Sequence, residues 1–374
     1  MDPKRIGFVG AGWMGKEQLR RLAGRDDATV RYLCVRDLER GNSVVEEIGL
    51  QDVTVVDDFD QLVQDPEVDA VWLVNPNAFH GPQSIAALEA GKHVFCEKPA
   101  STRYRDHLRQ VELARTNTHL VTLVDYILYF DTFEQRLRQM VADNAFGKIT
   151  QIQVNYRHPI NIAGDKVWKL KRDVMGDAIG MGINHSLSVM LFAMASQATP
   201  VRVYATSMPS QVRGFEADPI WNLHLTFDTG ACGFIFGDID SGNSYDAYHN
   251  IKGTKGGLIF DAQLPRQQKV RVWSTNLCDS RWTFPLDSEQ CERDVVEPWP
   301  PQTTTPDSGD VITHQTGVAV DHFLDCIRLG IPSPLGFDNA AIVAEVSWAA
   351  QISALTGEAV DLPLDPKQAR TLLS

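Results

Sequence analysis

No pair of cysteines in this chain has the spacing of a metal site. The six cysteines stand at 34, 96, 232, 278, 291 and 326, with no CxxC pair and no Cys/His cluster, so no bound metal is expected. Cys34 and Cys96 lie inside apolar, strand-like runs, where a buried reduced thiol is the expected state. Long hydrophobic runs are missing too. The most apolar helical stretch, Ser188 to Ala195, is far too short to span a bilayer, and no membrane partner is expected. No signal-peptide pattern precedes the first strand-like run, and a cytoplasmic protein is the expectation. Dense basic runs are absent as well. A net charge of −13 argues against a nucleic-acid partner, whose phosphates need clustered Lys and Arg. No internal repeat is visible.

What is present is a change of rhythm along 374 residues, a length that favours two domains. Up to residue 124, short apolar runs alternate with helical stretches. The runs are Ile6–Val9, Val30–Val35, Val53–Val56, Ala70–Val74, His93–Cys96 and Leu120–Val124. That alternation predicts a doubly wound parallel sheet over 1–124. From 125 to 374 strand-like segments dominate, at 149–156, 201–207, 221–227, 233–238, 257–260 and 269–273. With few helices between the later ones, an α+β domain with an open, mostly antiparallel sheet is expected. A helix over 184–194 precedes most of these strands. Two terminal helices, near 317–329 and 338–356, are expected to pack back on the body, and the proline-rich stretch 298–310 reads as a surface loop.

Gly10-Ala11-Gly12-Trp13-Met14-Gly15 follows the first strand and opens a helix, the context that makes a GxGxxG pattern a dinucleotide fingerprint. Gly10 permits the tight turn, Gly12 lets a pyrophosphate approach the backbone, and Gly15 lets helix and strand pack closely. Trp13 and Met14 would then lie at the helix N-terminus, whose unpaired N–H groups attract phosphate. At the end of the second strand, where an acid normally holds the ribose, stand Val35, Arg36 and Asp37. A missing acid beside an arginine suits a 2′-phosphate and favours NADP over NAD, although Asp37 is within reach of a ribose.

Further along, Val74-Asn75-Pro76-Asn77, then His80, then Ala90-Gly91-Lys92-His93-Val94-Phe95-Cys96-Glu97-Lys98-Pro99 form a long composite motif. It resembles that of the glucose–fructose oxidoreductase/inositol dehydrogenase/rhizopine catabolism (Gfo/Idh/MocA) family. Gly147-Lys148-Ile149 and Phe323 to Ile327 fit the same pattern. The resemblance implies hydride transfer between a nicotinamide cofactor, NAD(P), and a hydroxyl or keto carbon of a sugar, sugar derivative or cyclitol. It implies a homo-oligomer, dimer or tetramer, formed through the second domain's sheet. Lys98 would bind the reacting oxygen and stabilise its developing charge. Glu97 would orient Lys98 or touch the cofactor, and Asn75, Pro76, Asn77 and His80 would line the nicotinamide end.

His185 matches the family's histidine at the start of a long helix, where a neutral imidazole suits taking a hydroxyl proton. The family's aspartate four residues earlier is replaced by Met181, and Asp177 is the candidate to supply that carboxylate. Asn184 is a candidate donor to a sugar hydroxyl. A second departure lies at Asp125–Asp131, where the family's "GFNRRFD" becomes Asp-Tyr-Ile-Leu-Tyr-Phe-Asp. Tyr126 there is either a substrate contact or interdomain packing. Trp168 and Lys169 match a segment that flanks nicotinamide and substrate in the family, with core packing the other reading for the tryptophan. Two further readings of the whole chain stay open: a redox-neutral, NAD-dependent glycosidase of the same family, and a non-catalytic dinucleotide sensor.

Overall fold

The six apolar runs of the first 125 residues become β1 (Lys4–Val9), β2 (Ala28–Cys34), β3 (Thr54–Val56), β4 (Ala70–Leu73), β5 (His93–Glu97) and β6 (Thr122–Asp125). All their pairings are parallel, in the order β3-β2-β1-β4-β5-β6. Helices α1 (Trp13–Ala23), α2 (Leu38–Ile48), α3 (Phe59–Gln64), α4 (His80–Glu89) and α5 (Tyr104–Thr116) make the crossovers. The strand order reverses between β1 and β4, so a crevice opens at the strands' carboxyl ends. The computed structural model describes residues 2–240, 245–276, 281–294, 299–306 and 315–373. Cys278, Pro298 and positions 307–310 of the expected loop lie outside the described residues.

Strand β4 is Ala-Val-Trp-Leu and is buried on both faces, as a central parallel strand must be. Its Trp72 stacks on Phe95 of β5 at 4.1 Å between ring centroids. Burial of these large rings is the main source of cohesion in this domain, at roughly 25 cal/mol per Å² of apolar surface removed from water.

The second domain is an eight-stranded sheet in the order β13-β12-β11-β7-β10-β9-β8-β14. Its strands are β7 (Ile149–Arg157), β8 (Pro200–Met208), β9 (Ile220–Phe227), β10 (Cys232–Asp238), β11 (Asp246–Gly253), β12 (Gly256–Asp261), β13 (Val270–Ser274) and β14 (Val360–Asp361). Every pairing is antiparallel except that of β10 with β7. The accompanying helices are α6 (Thr132–Ala142), α7 (Arg172–Met175), α8 (Asn184–Met194), α9 (Ser288–Asp294), α10 (Thr316–Leu329), α11 (Ala341–Thr356) and α12 (Pro366–Leu372). Helix α8 packs on β7, and nine of its eleven residues are buried, which explains its unbroken apolar run.

Two strands are absent from the sequence reading. In β11 only Ala247, His249 and Ile251 turn fully inward, and the inward His249 holds Glu134 of α6 at 2.7 Å. A strand with a polar residue on its buried side gives no apolar alternation to read. β14 is two residues long. Helix α10 packs on the first domain, with Phe323 edge-on to Trp72 (5.2 Å) and Phe95 (5.6 Å). Helix α11 lies along β8 and meets α5 through Trp348 and Tyr104.

Candidate active site

The phosphate cradle forms where β1 turns into α1. Gly10 has φ +101°, and a Cβ there would lie 2.5 Å from the Val74 carbonyl oxygen. A Cβ on Gly15 would meet the Gly10 oxygen at 2.6 Å, whereas one on Gly12 would meet nothing within 4 Å. The open side of the loop therefore lies over Gly12, the N-cap of α1, where no side chain caps the helix. Its first-turn N–H groups remain for an anion. These features fit a dinucleotide pyrophosphate, which the residues at this turn would hold. Trp13 is half exposed beside the cradle, and the Met14 sulfur lies against Thr316 at the start of α10.

At the end of β2, Val35 packs on the core and Arg36 is exposed. Asp37 is the N-cap of α2, one carboxylate oxygen accepting the Arg40 N–H at 3.0 Å. The acid nearest the ribose position thus serves the helix as a cap.

The opposite end of the crevice is built on β4 and β5. Pro76 caps a short 3-10 turn, Asn77–Phe79. Asn75 donates to Gln83 at 2.8 Å, and its own buried side-chain oxygen has no hydrogen-bond partner among the described residues. Asn77 donates to the Met175 carbonyl at 2.8 Å. His80 is buried, its two ring nitrogens against the carbonyls of Pro99 (2.7 Å) and Asn75 (2.8 Å). It thereby ties the Asn75–Asn77 turn to the Glu97-Lys98-Pro99 corner. Burial holds the His80 pKa below its ordinary value.

Lys98 reaches out from this corner, and its Nζ donates to the Met181 carbonyl at 2.5 Å. Burial lowers the pKa of its ammonium, while Glu97 and Asp125 act to raise it. Beneath it lies a buried pair of carboxyl groups that the sequence reading did not anticipate. Glu97 and Asp125 are register partners at the ends of β5 and β6. Both accept from the same Gln18 Nε2, at 3.1 and 3.2 Å, and Gln18 Oε1 accepts from Trp72 Nε1 at 2.7 Å. Burial raises both carboxyl pKa values, Asp125 well above the ordinary range, where the neighbouring Glu97 charge adds to the effect.

Facing Lys98, residues Ile179–Ile183 form a π-helical turn that runs straight into α8. Gly180 and Gly182 let this turn lie close to its neighbours. A Cβ at Gly180 would lie 3.1 Å from Pro99 Cγ, and one at Gly182 would lie 2.9 Å from Tyr156 Cε1. Such turns are frequent at functional sites. Asn184 donates to the Gly180 carbonyl at 2.7 Å, and its buried side-chain oxygen has no hydrogen-bond partner among the described residues. His185 follows, half buried, its ring tilted against Tyr156 at 5.4 Å.

Asp177, the candidate for the carboxylate lost at Met181, lies partly buried at the foot of this turn. Its oxygens accept from Gly180 N–H at 2.8 Å and from Gln351 at 3.2 Å, so it anchors the π-helical turn to α11. Tyr126 is buried edge-on to Phe192 of α8. Trp168 and Lys169 lie on a 3-10 segment, Gly164–Leu170, that joins the two domains above the cradle. Asp165 pairs with Arg40 at 2.8 Å, and Lys166 Nζ sits 5.7 Å from the Trp13 ring centroid. Lys169 Nζ is 5.9 Å from the Trp168 ring, and Lys171 is drawn away to Glu216 at 2.6 Å.

A wall of rings continues from His185. Tyr156 contacts His158 and Tyr245, and His158 lies edge-on to Tyr245 at 5.0 Å. None of these three was singled out from the sequence. Tyr156 and His158 stand at the end of β7, and Tyr245 precedes β11, the strand with no apolar signature.

A Rossmann crevice with an open phosphate cradle, and a lysine and a histidine brought to one cleft from two domains, defines the class: an oxidoreductase with an NAD-binding domain. Comparison with known sequences gives the family. The model of the oxidoreductase family with an NAD-binding Rossmann fold matches residues 4–125, and the GFO/IDH/MocA C-terminal domain matches residues 135–259. The chain belongs to the GFO/IDH/MocA oxidoreductase family. It is similar to an uncharacterised Bacillus subtilis oxidoreductase, YrbE, with 27% identity over 71% of this chain and 75% of the relative. Inositol 2-dehydrogenase of Salmonella paratyphi B is 23% identical over 97% of this chain and 98% of its own length. Among solved structures, levoglucosan dehydrogenase in complex with NADH and levoglucosan superposes with a TM-score of 0.78. It is 20% identical over 97% of this chain and all of that one.

Proposed function

We propose that this chain is a dehydrogenase or reductase that moves a hydride between a nicotinamide cofactor and a hydroxyl or keto carbon of a sugar or cyclitol. The observation that carries the reading is the contact of Lys98 Nζ with the Met181 carbonyl, four residues before His185. It brings an ammonium from the end of β5 and an imidazole from the start of α8 to one cleft. The cofactor supplies the hydride acceptor in oxidation and the hydride donor in reduction.

The protein's own groups do the rest. In oxidation, Lys98 donates a hydrogen bond to the reacting hydroxyl oxygen in place of the Met181 carbonyl and stabilises the charge that develops there. His185 accepts the hydroxyl proton. The Glu97–Asp125 pair lies under Lys98, and its charge works against the lowering of the Lys98 pKa by burial. His80 fixes the loop that carries Asn75 and Asn77, and the Tyr156–His158–Tyr245 wall offers ring faces to a polyol.

For the cofactor, Val35 in place of the ribose acid, exposed Arg36 and an Asp37 engaged as a helix cap favour NADP over NAD. For assembly, the outer face of the second sheet carries exposed Tyr204, Met208 and Phe236, which suits a dimer or tetramer contact there.

The test is steady-state kinetics on a panel of sugars, cyclitols and their keto forms with NAD(H) and NADP(H), alongside cofactor binding by fluorescence. Lys98→Ala and His185→Ala should each lower kcat by about 10²–10⁴-fold while cofactor binding survives. Wild-type turnover in Lys98→Ala would overturn the mechanism, and tighter binding of NADH than of NADPH would overturn the cofactor preference.

A further inference from the structure

The chain carries a net charge of −13, yet its cleft gathers three ammonium groups: Lys98, Lys166 and Lys169. None of them has a carboxylate within ion-pair distance among the described residues. Lys98 donates to a carbonyl, Lys166 lies near the Trp13 ring and Lys169 near the Trp168 ring. Asp165, the acid closest in sequence, is drawn away by Arg40. Lys166 stands over Trp13 at the phosphate cradle, which places it on the cofactor side. Lys169 lies within electrostatic reach of both Lys166 and Lys98, toward the reacting corner. Burial first, then these two cations, push the Lys169 ammonium down to about 8.

The Lys169 ammonium is kept partly out of water beside like charges and is opposed only by Asp165, itself paired with Arg40, which raises the energy of the empty cleft. An anion bound there recovers that energy. The opposite wall is consistent with such a ligand: position 181, where the family pattern has an aspartate, holds a methionine whose carbonyl is what Lys98 touches. With methionine at 181, an acidic substrate meets no carboxylate at that position.

We propose that Lys169 binds the carboxylate of an acidic sugar, a uronate or an aldonate, whose reacting hydroxyl is held by Lys98. This rests on the dehydrogenase reading above and narrows its substrate from polyols in general to anionic ones. Because Lys169 binds the anion only when protonated, KM for the acidic substrate rises as pH increases through about 8.

The experiment compares glucuronate, galacturonate and gluconate with glucose, galactose, myo-inositol and glucose 6-phosphate, in the wild type, Lys169→Met and Lys169→Arg. Fluorescence titration measures cofactor affinity in each. The expected result is a wild-type preference for the carboxylates. In Lys169→Met the acid-to-neutral ratio of kcat/KM should fall by about 10–100-fold, the range of a charge-assisted hydrogen bond, and mostly through KM. Lys169→Arg should restore much of it.

Preference for neutral polyols, or for the sugar phosphate over the carboxylates, overturns the proposal. So does a Lys169→Met variant that loses cofactor affinity with an unchanged acid-to-neutral ratio, because the ammonium then serves the cofactor's phosphates. Calorimetry of gluconate binding to the protein–cofactor complex keeps the two readings apart. If no polyol of either charge is turned over, the dehydrogenase reading fails. Lys169-dependent gluconate binding would still uphold the anion site, and no binding would overturn it.

Discussion

Replacing Gln18 by leucine tests how the catalytic corner is supported. Gln18 is wholly buried, and its one amide serves three partners on three strands: Trp72 of β4, Glu97 of β5 and Asp125 of β6. Leucine has a similar volume, so the change removes hydrogen bonds without opening a large cavity. The Trp72 N–H would lose its acceptor, at about 1–3 kcal/mol, and the carboxyl pair its shared donor, at about 1.5–3 kcal/mol for a charged acceptor. The expected loss is about 3–5 kcal/mol near neutral pH, in the upper tail for a single substitution.

The loss should depend on pH. The Gln18 amide favours the ionised form of Glu97, so its contribution is present while the pair carries charge and declines as pH falls and the pair protonates. Urea unfolding followed by tryptophan fluorescence at pH 5.5 and 8 measures both effects. A loss below about 1 kcal/mol at pH 8, or a larger loss at pH 5.5, would refute the reasoning.

Asp125→Asn should flatten the pH dependence of stability. Folded Asp125 keeps a proton that the unfolded chain releases in the ordinary carboxylate range, so native stability falls as pH rises from about 4 toward the pair's raised pKa. Asparagine removes that slope, and an unchanged slope in urea midpoints would count against the shared proton. At the cradle, Gly12→Ala should fold normally yet bind the cofactor at least tenfold more weakly, since its Cβ meets only the space a phosphate needs. Gly15→Ala should lose about 1–3 kcal/mol of stability as well, because its Cβ abuts the Gly10 carbonyl, and calorimetric Tm separates the two.

What could be read from the sequence is what the chain encodes locally. The glycines, the Glu97-Lys98-Pro99 corner and the apolar strands of the first sheet depend on neighbours within a few residues, so their spacing gives them away. Asp125 looked like one residue of an altered loop, because only the register of β5 with β6 sets it opposite Glu97. Gln18 reads as a polar residue on a surface helix until Trp72 and the two carboxyl groups are seen around it. Closeness in sequence makes Asp177 a candidate for the missing carboxylate, but it does not reveal that a π-helical turn lies between it and His185 or that Gln351 binds it. Tyr245 lies outside any strand, and β11 is hidden because His249 interrupts its apolar inward face.

Phe323 gives the order of the chain a meaning that its domains alone do not. The aromatic stack at the centre of the first sheet is closed by a side chain from α10, some two hundred residues after the last strand of that sheet. During synthesis the N-terminal domain therefore leaves the ribosome with Trp72 and Phe95 still lacking a neighbour. Its core is completed only when nearly all of the protein has been made. The cofactor crevice and the substrate sheet thus mature together, and a fragment ending after β6 would expose the rings on which the crevice is built.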